Sequence, residues 1–239
     1  MSESKSGTIE TGYTTPMPDT LFPMVRHLSY RVTPALAKTP ISANQVTSLS
    51  LVCGLVCNGM FLVGETAWGI VGALFFVVTY ILDNCDGEIA RLKDQCSAFG
   101  MRYDSFVDWI VHSSFFPALG IGVHSATGNE VWLWLGWIGG AGGTFNYAVG
   151  FWVEARNRRE KAESYDETGR EAVENSHRPE NLGEWLLFAF RELSRADFCF
   201  IVLALAVFDL TWLLLPLGAV GAQAYWITQF ARRAREFHV

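Results

Sequence analysis

Apolar residues gather into six stretches along the 239-residue chain, at about 46–63, 68–90, 105–125, 131–153, 197–212 and 213–231. Several approach the ~20 residues that a helix needs to cross a bilayer core. This pattern predicts an all-α integral membrane protein with six transmembrane helices. The fifth and sixth are divided only by Asp209, Leu210, Thr211 and Trp212, with Pro216 near the start of the sixth. Ahead of the first stretch, "LFPMVRHLSYRVTPALAKTP" places Leu21, Val25, Leu28 and Val32 on one face and Arg26, His27 and Arg31 elsewhere. That alternation predicts an amphipathic interfacial helix, interrupted near Pro34, or an ordinary amphipathic segment packed on the protein. Residues 1–19 are small and polar and read as a disordered lead, and residues 20–239 read as one membrane domain without internal repeats.

One polar break is long. Its first part, Glu154 to Pro179, mixes charge signs without apolar periodicity and predicts a solvated helix or a mobile loop. Within residues 154–195, Asn181 followed by Glu184 is an N-cap pattern, and Leu182, Trp185, Leu186 and Phe190 continue at helical spacing. A second helix on the membrane surface is expected there, delivering Arg191 and Arg195 to the start of the fifth span.

Composition agrees with the membrane reading: half the residues are hydrophobic, with 9 Trp and 17 Phe. The 18 Lys and Arg residues fix an orientation, because cytoplasmic loops hold the excess. Four precede the first span, three flank the 91–102 loop, eight lie between Arg156 and Arg195, and three follow the sixth span. None remains for the loops near Glu65, Asn129 and Asp209. Both termini and the long loop are therefore expected in the cytoplasm. The net charge of −6 hides this one-sided distribution, and nothing in it calls for nucleic acid. No basic segment with a short apolar run and cleavage site opens the chain, so no signal peptide is expected. The five cysteines show no zinc-type spacing and read as reduced packing residues.

The costly residues are four aspartates in "DNCDGEIARLKDQCSAFGMRYDSFVD". A carboxylate at mid-membrane costs about 2.5–3.5 kcal/mol. Asp83 and Asp86 are three apart, and Asp104 and Asp108 four apart, so each pair shares a helix face. Asp83 falls about 22 Å along the second span from Trp68, near the cytoplasmic side where the third span begins, so the pairs can face each other. Four clustered carboxylates require cations between them, and an oxygen-only ligand set suits Mg²⁺ or Mn²⁺. Two such ions would clamp a phosphate ester. Arg91 can bind phosphate as well, and Gly87 and Gly100 leave room for a diphosphate near the backbone. Close helix packing is the other reading of the two glycines. His112, one turn beyond Asp108, is read either as packing or as a partner of the base or acceptor. Asn146 and Tyr147 either line the cavity or bond structurally. A cation-coupled transporter using intramembrane aspartates is the alternative of another class, disfavoured by the bunching of the carboxylates at one face.

The stretch resembles the CDP-alcohol phosphotransferase family, whose signature D-x2-D-G-x2-A-R-x8-G-x3-D-x3-D is met by Asp83, Asp86, Gly87, Ala90, Arg91, Gly100, Asp104 and Asp108. The "SANQVT" segment with Asn44 and Thr47 is similar too, although Ala43 stands where a proline commonly precedes the asparagine, and the 154–180 insertion exceeds a minimal member's need. The resemblance implies that an acceptor hydroxyl attacks a CDP-alcohol, releasing CMP. It implies Asp83, Asp86, Asp104 and Asp108 as ligands of two divalent ions, Asp108 also as general base, and Gly87, Ala90, Arg91, Gly100, Asn44 and Thr47 as nucleotide-binding residues. Arg195 and Arg191, joined by one of Arg156, Arg158 or Arg159, read either as anchors that snorkel to lipid headgroups or as a pocket for a phosphate on the acceptor. The donor is either CDP-diacylglycerol, which yields a phospholipid, or a small CDP-polyol serving a lipid or polyol-phosphate acceptor. A homodimer in a bacterial or archaeal cytoplasmic membrane is expected.

Overall fold

Ser42 begins one of the long helices with a reciprocal cap: its side chain accepts from the Gln45 N–H while the Gln45 side chain accepts from the Ser42 N–H. In the computed structural model, residues 23–163 and 196–223 are described. They form α1 (Met24–Ala37), α2 (Ala43–Phe61), α3 (Thr66–Leu92), α4 (Ala98–Thr127), α5 (Val131–Glu163) and α6 (Phe198–Val207). A 3₁₀ turn at Thr211–Leu213 follows, and residues 214–223 resume as helix. No strand occurs among the described residues. Of these helices, α3 and α4 are long and apolar enough to cross a membrane.

Helix α4 starts at Ala98, earlier than the apolar pattern implied, because Ser97 caps it by accepting from the Gly100 N–H at 3.0 Å. The helical part of the long polar break is also visible: α5 runs on to Glu163, ten residues past the expected end of its span. Between α6 and the following helix the chain turns at Phe208–Leu210, with Asp209 left-handed at φ 59°. The turn lies where Asp209 and its neighbours predicted it. The surface helix expected over 181–190, and Arg191 and Arg195 with it, lie outside the described residues.

Helix α2 packs on α3 and α4, α4 on α5, and both α1 and α6 on α3. The centre of the bundle is aromatic. Phe76 and Phe115 stack with ring centroids 5.1 Å apart, and Phe61 meets Phe115 edge-on at 5.3 Å. Trp109 of α4 stacks on Tyr147 of α5 at 5.2 Å and donates from Nε1 to the Thr144 hydroxyl at 3.2 Å. Tyr147 thus has a structural partner. Four cysteines are buried and pack as expected, whereas Cys96 is exposed in the α3–α4 turn.

Helix α1 corrects the expected amphipathic face. Its buried positions are Val25, Ser29 and Thr33, with Leu28 and Val32 only half-buried, and Pro34 is carried within the helix. The reason is polar. Glu88 of α3 is 4 % exposed, and its carboxylate accepts from the hydroxyls of Ser29 and Thr33. At the other end, the buried Asp197 accepts from the Met24 and Val25 N–H groups at 2.7 and 2.8 Å. One carboxylate thereby satisfies two of the orphan donors at the start of α1.

Candidate active site

Helices α3 and α4 are joined by the short turn 93–97 and meet through side chains, Phe76 with Phe115 and Tyr80 with His112, so the end of one comes near the start of the other. That brings together carboxylates which are up to 21 residues apart in sequence. Asp83, Asp86 and Asp104 offer one oxygen each, all within 4.8 Å of one another. Asp86 is 6 % exposed, and its Oδ2 accepts from the Thr47 hydroxyl of α2. Asp104 Oδ1 is buried without a hydrogen-bond donor. Among residues 23–152 and 196–223 no Lys or Arg lies within ion-pair distance of the cluster. A buried unpartnered acceptor within a set of oxygen ligands fits a hard divalent cation.

Asp108 stands apart from this trio. It is exposed, and with Asp83 it lines a cavity of about 270 Å³ completed by Thr79, Tyr80, Asn84, His112 and Ala196. The wall of that cavity is braced by His112. Its Nδ1 lies 2.8 Å from the Asp108 carbonyl oxygen, which can only accept, so Nδ1 carries the proton. In the neutral ring Nε2 then accepts from the Tyr80 hydroxyl at 2.9 Å. Both ring nitrogens are occupied within the protein, while the Asp108 carboxylate is 4.0 Å from Nδ1 and open to the cavity. Tyr80 and Asn84 were not singled out from the sequence. Their signal was the spacing: Tyr80 is one turn before Asp83 and Asn84 on α3.

The other side of the cluster is built from three helices. Gly87 has no backbone pressed against it; a Cβ there would meet the Arg91 guanidinium at 3.6 Å. A Cβ on Gly100 would meet Ser97 Oγ at 3.2 Å and Asn44 Oδ1 at 3.3 Å. Both glycines thus border polar side chains rather than a packed helix backbone. Asn44 and Ala90 are half-buried and Arg91 is exposed, whereas Thr47 is buried and occupied with Asp86. Asn146 Oδ1 of α5 is buried without a partner. A second cavity of about 170 Å³ lies at the opposite end of the bundle, beside Gly64, Glu65, Asp209 and Trp212, remote from the aspartates in every helix that lines it.

A sequence model of the CDP-alcohol phosphatidyltransferase family matches residues 40–219, about three quarters of the chain and all four aspartates. The chain belongs to that family. Among curated CDP-alcohol phosphatidyltransferase relatives, the bifunctional IPC transferase and DIPP synthase of Rubrobacter xylanophilus is 33 % identical over 87 residues. That match covers 36 % of this chain and 19 % of the relative, so the chain aligns with about a fifth of the relative's length.

Proposed function

We propose that this CDP-alcohol phosphatidyltransferase transfers the phosphatidyl group of CDP-diacylglycerol to a small polar acceptor alcohol, a polyol phosphate among the candidates, and releases CMP. The observation that carries the choice of acceptor is the cavity beside Asp83 and Asp108. At about 270 Å³ and walled by Tyr80, Asn84 and His112, it falls below the ~300–1,000 Å³ of drug-sized ligand sites and suits a hydroxylated small molecule better than acyl chains.

In this reading Asp83, Asp86, Asp104 and Asp108 hold two Mg²⁺ or Mn²⁺ ions, which when bound neutralise the donor diphosphate. Arg91, Gly87, Ala90, Gly100 and Asn44 border the nucleotide, and Thr47 keeps Asp86 oriented. Asp108 accepts the proton of the acceptor hydroxyl. The acceptor oxygen then bonds to the phosphorus that bears the lipid alcohol, the phosphoanhydride bond breaks, and CMP departs with its electron pair. His112, locked between Tyr80 and the Asp108 carbonyl, orients the helix turn that presents Asp108. Arg195 and Arg191, two of the cytoplasmic arginines, supply an anion pocket if the acceptor carries phosphate. The protein acts as a homodimer in the cytoplasmic membrane of a bacterium or archaeon, with this face and both termini in the cytoplasm.

A second reading, transfer from a small CDP-polyol, draws support from the relative whose name joins an IPC transferase and a DIPP synthase. One experiment separates them. Purified protein with Mg²⁺ is offered CDP-diacylglycerol or a CDP-polyol, each with a panel of polyols and polyol phosphates, and CMP is measured against a chelated control. CMP from CDP-diacylglycerol with a soluble acceptor is the expected result. CMP from the CDP-polyol alone would favour the second reading, and none from either would overturn both.

A further inference from the structure

The nucleotide side of the proposed site is assembled from the start of α2, the end of α3 and the start of α4, and something must hold the three in register. The end of α3 is closed by a Schellman-type 6→1 bond: after the last helical bond from Lys93 N–H to the Ile89 carbonyl at 2.9 Å, Gln95 N–H donates to the Ala90 carbonyl at 2.8 Å, with Asp94 left-handed at φ 53° between them. Lys93 and Gln95 thus flank the turning residue, and both side chains reach the α1–α2 connection. Lys93 Nζ donates to the Thr39 and Ile41 carbonyls, at 2.7 Å each. Gln95 Oε1 accepts from the N–H of Ala43 at 2.8 Å. Ala43 opens α2, so its N–H has no carbonyl within the helix to bond.

We propose that Lys93 and Gln95 are positioning residues for nucleotide binding, clamping the start of α2 onto the α3–α4 turn. The proposal rests on the phosphotransferase reading above and adds two residues that the signature leaves open, since both fall among its eight unspecified positions between Arg91 and Gly100. The mechanical link is short. Asn44 follows Ala43 directly and sits against Gly100, and Thr47, one turn further, donates to Asp86. Freeing the start of α2 therefore displaces a wall of the nucleotide site and loosens the orientation of one carboxylate in the cluster. Lys93, counted in the sequence as one cytoplasmic cation among 18, is spent on two backbone carbonyls.

The test uses the full chain in detergent, titrated with CDP in the presence of Mg²⁺, because the CDP moiety is common to every donor. Gln95→Ala should weaken CDP binding about tenfold, and Lys93→Met should act in the same direction. Gln95→Glu, which keeps the accepting oxygen, should restore binding to within about twofold of the parent. With CDP-diacylglycerol as donor, KM should rise more than kcat falls. A Gln95→Ala protein that binds CDP like the parent, or one that merely melts earlier with unchanged CDP affinity, would overturn the positioning role. So would an equal loss in Gln95→Ala and Gln95→Glu. A parent protein that does not bind CDP at all would sink the nucleotide reading itself, and the positioning role with it.

Discussion

The two ends of the bundle are made from the same helices and solve opposite problems. At the aspartate end, α3 and α4 contribute carboxylates, a cavity and polar partners from α2. At the other end they contribute close contact. A Cβ on Gly122 of α4 would collide with the Phe61 carbonyl at the end of α2, and one on Gly64 with the Gly122 carbonyl. A Cβ on Gly120 would lie 2.6 Å from the Trp132 carbonyl of α5, and one on Gly136 2.6 Å from the Phe116 carbonyl. Backbones touch there because side chains are missing, the usual way for helices to associate in lipid, where apolar surface gains nothing by leaving its solvent. The glycines at the aspartate end, Gly87 and Gly100, border Arg91, Ser97 and Asn44 instead. The same residue type thus secures cohesion at one end and space at the other.

Substitutions at the two ends should therefore separate activity from stability. The largest effect is expected for Asp108→Asn. Loss of a general base should lower kcat by about 10²–10⁴-fold, with CDP affinity falling far less than kcat and no loss of thermal stability, since an exposed carboxylate that shares its cavity with Asp83 is removed. An active Asp108→Asn enzyme would place the base elsewhere. Next comes Gly120→Ala, which forces a methyl against the Trp132 carbonyl. It should destabilise by about 1–3 kcal/mol, as overpacking does, read as an earlier thermal transition in detergent, while the folded fraction keeps its CDP affinity. A Gly120→Ala protein of parental stability but reduced CDP affinity would dissolve the distinction between the ends. The smallest effect is expected for Asp94→Gly. Asp tolerates the left-handed conformation better than most residues, so relieving it at φ 53° should stabilise by less than about 1 kcal/mol. A lower melting temperature would mean that the Asp94 side chain makes a contact worth more than the strain.

The gathering of Asp83, Asp86 and Asp104 was legible in the sequence because helical spacing puts Asp83 with Asp86 and a short turn brings Asp104 to them, whereas Asp108, one turn further, lines the neighbouring cavity instead of joining the trio. The turn between α6 and the helix after it was legible for a similar reason, as the only polar interruption in a long apolar run. The buried face of α1 was not, because hydrophobic periodicity cannot foresee that Ser29 and Thr33 turn inward to satisfy a buried Glu88. Tyr80 was hidden for the converse reason: in an apolar span an aromatic reads as core, and only the facing His112 reveals its hydroxyl as a wall of the cavity. Thr47 was expected to meet the nucleotide, yet its burial and its bond to Asp86 depend on how α2 leans on α3, which no local pattern encodes.

The bond between Asp197 and the start of α1 also sets an order of events during synthesis. Val25 and Asp197 are 172 residues apart, and at about 5–20 residues per second the ribosome needs roughly 9–34 s to supply the cap after α1 has been made. Glu88 arrives much sooner, 55 residues behind Thr33. Helix α1 is therefore held first at its middle by α3, and its start is capped only when the chain reaches α6.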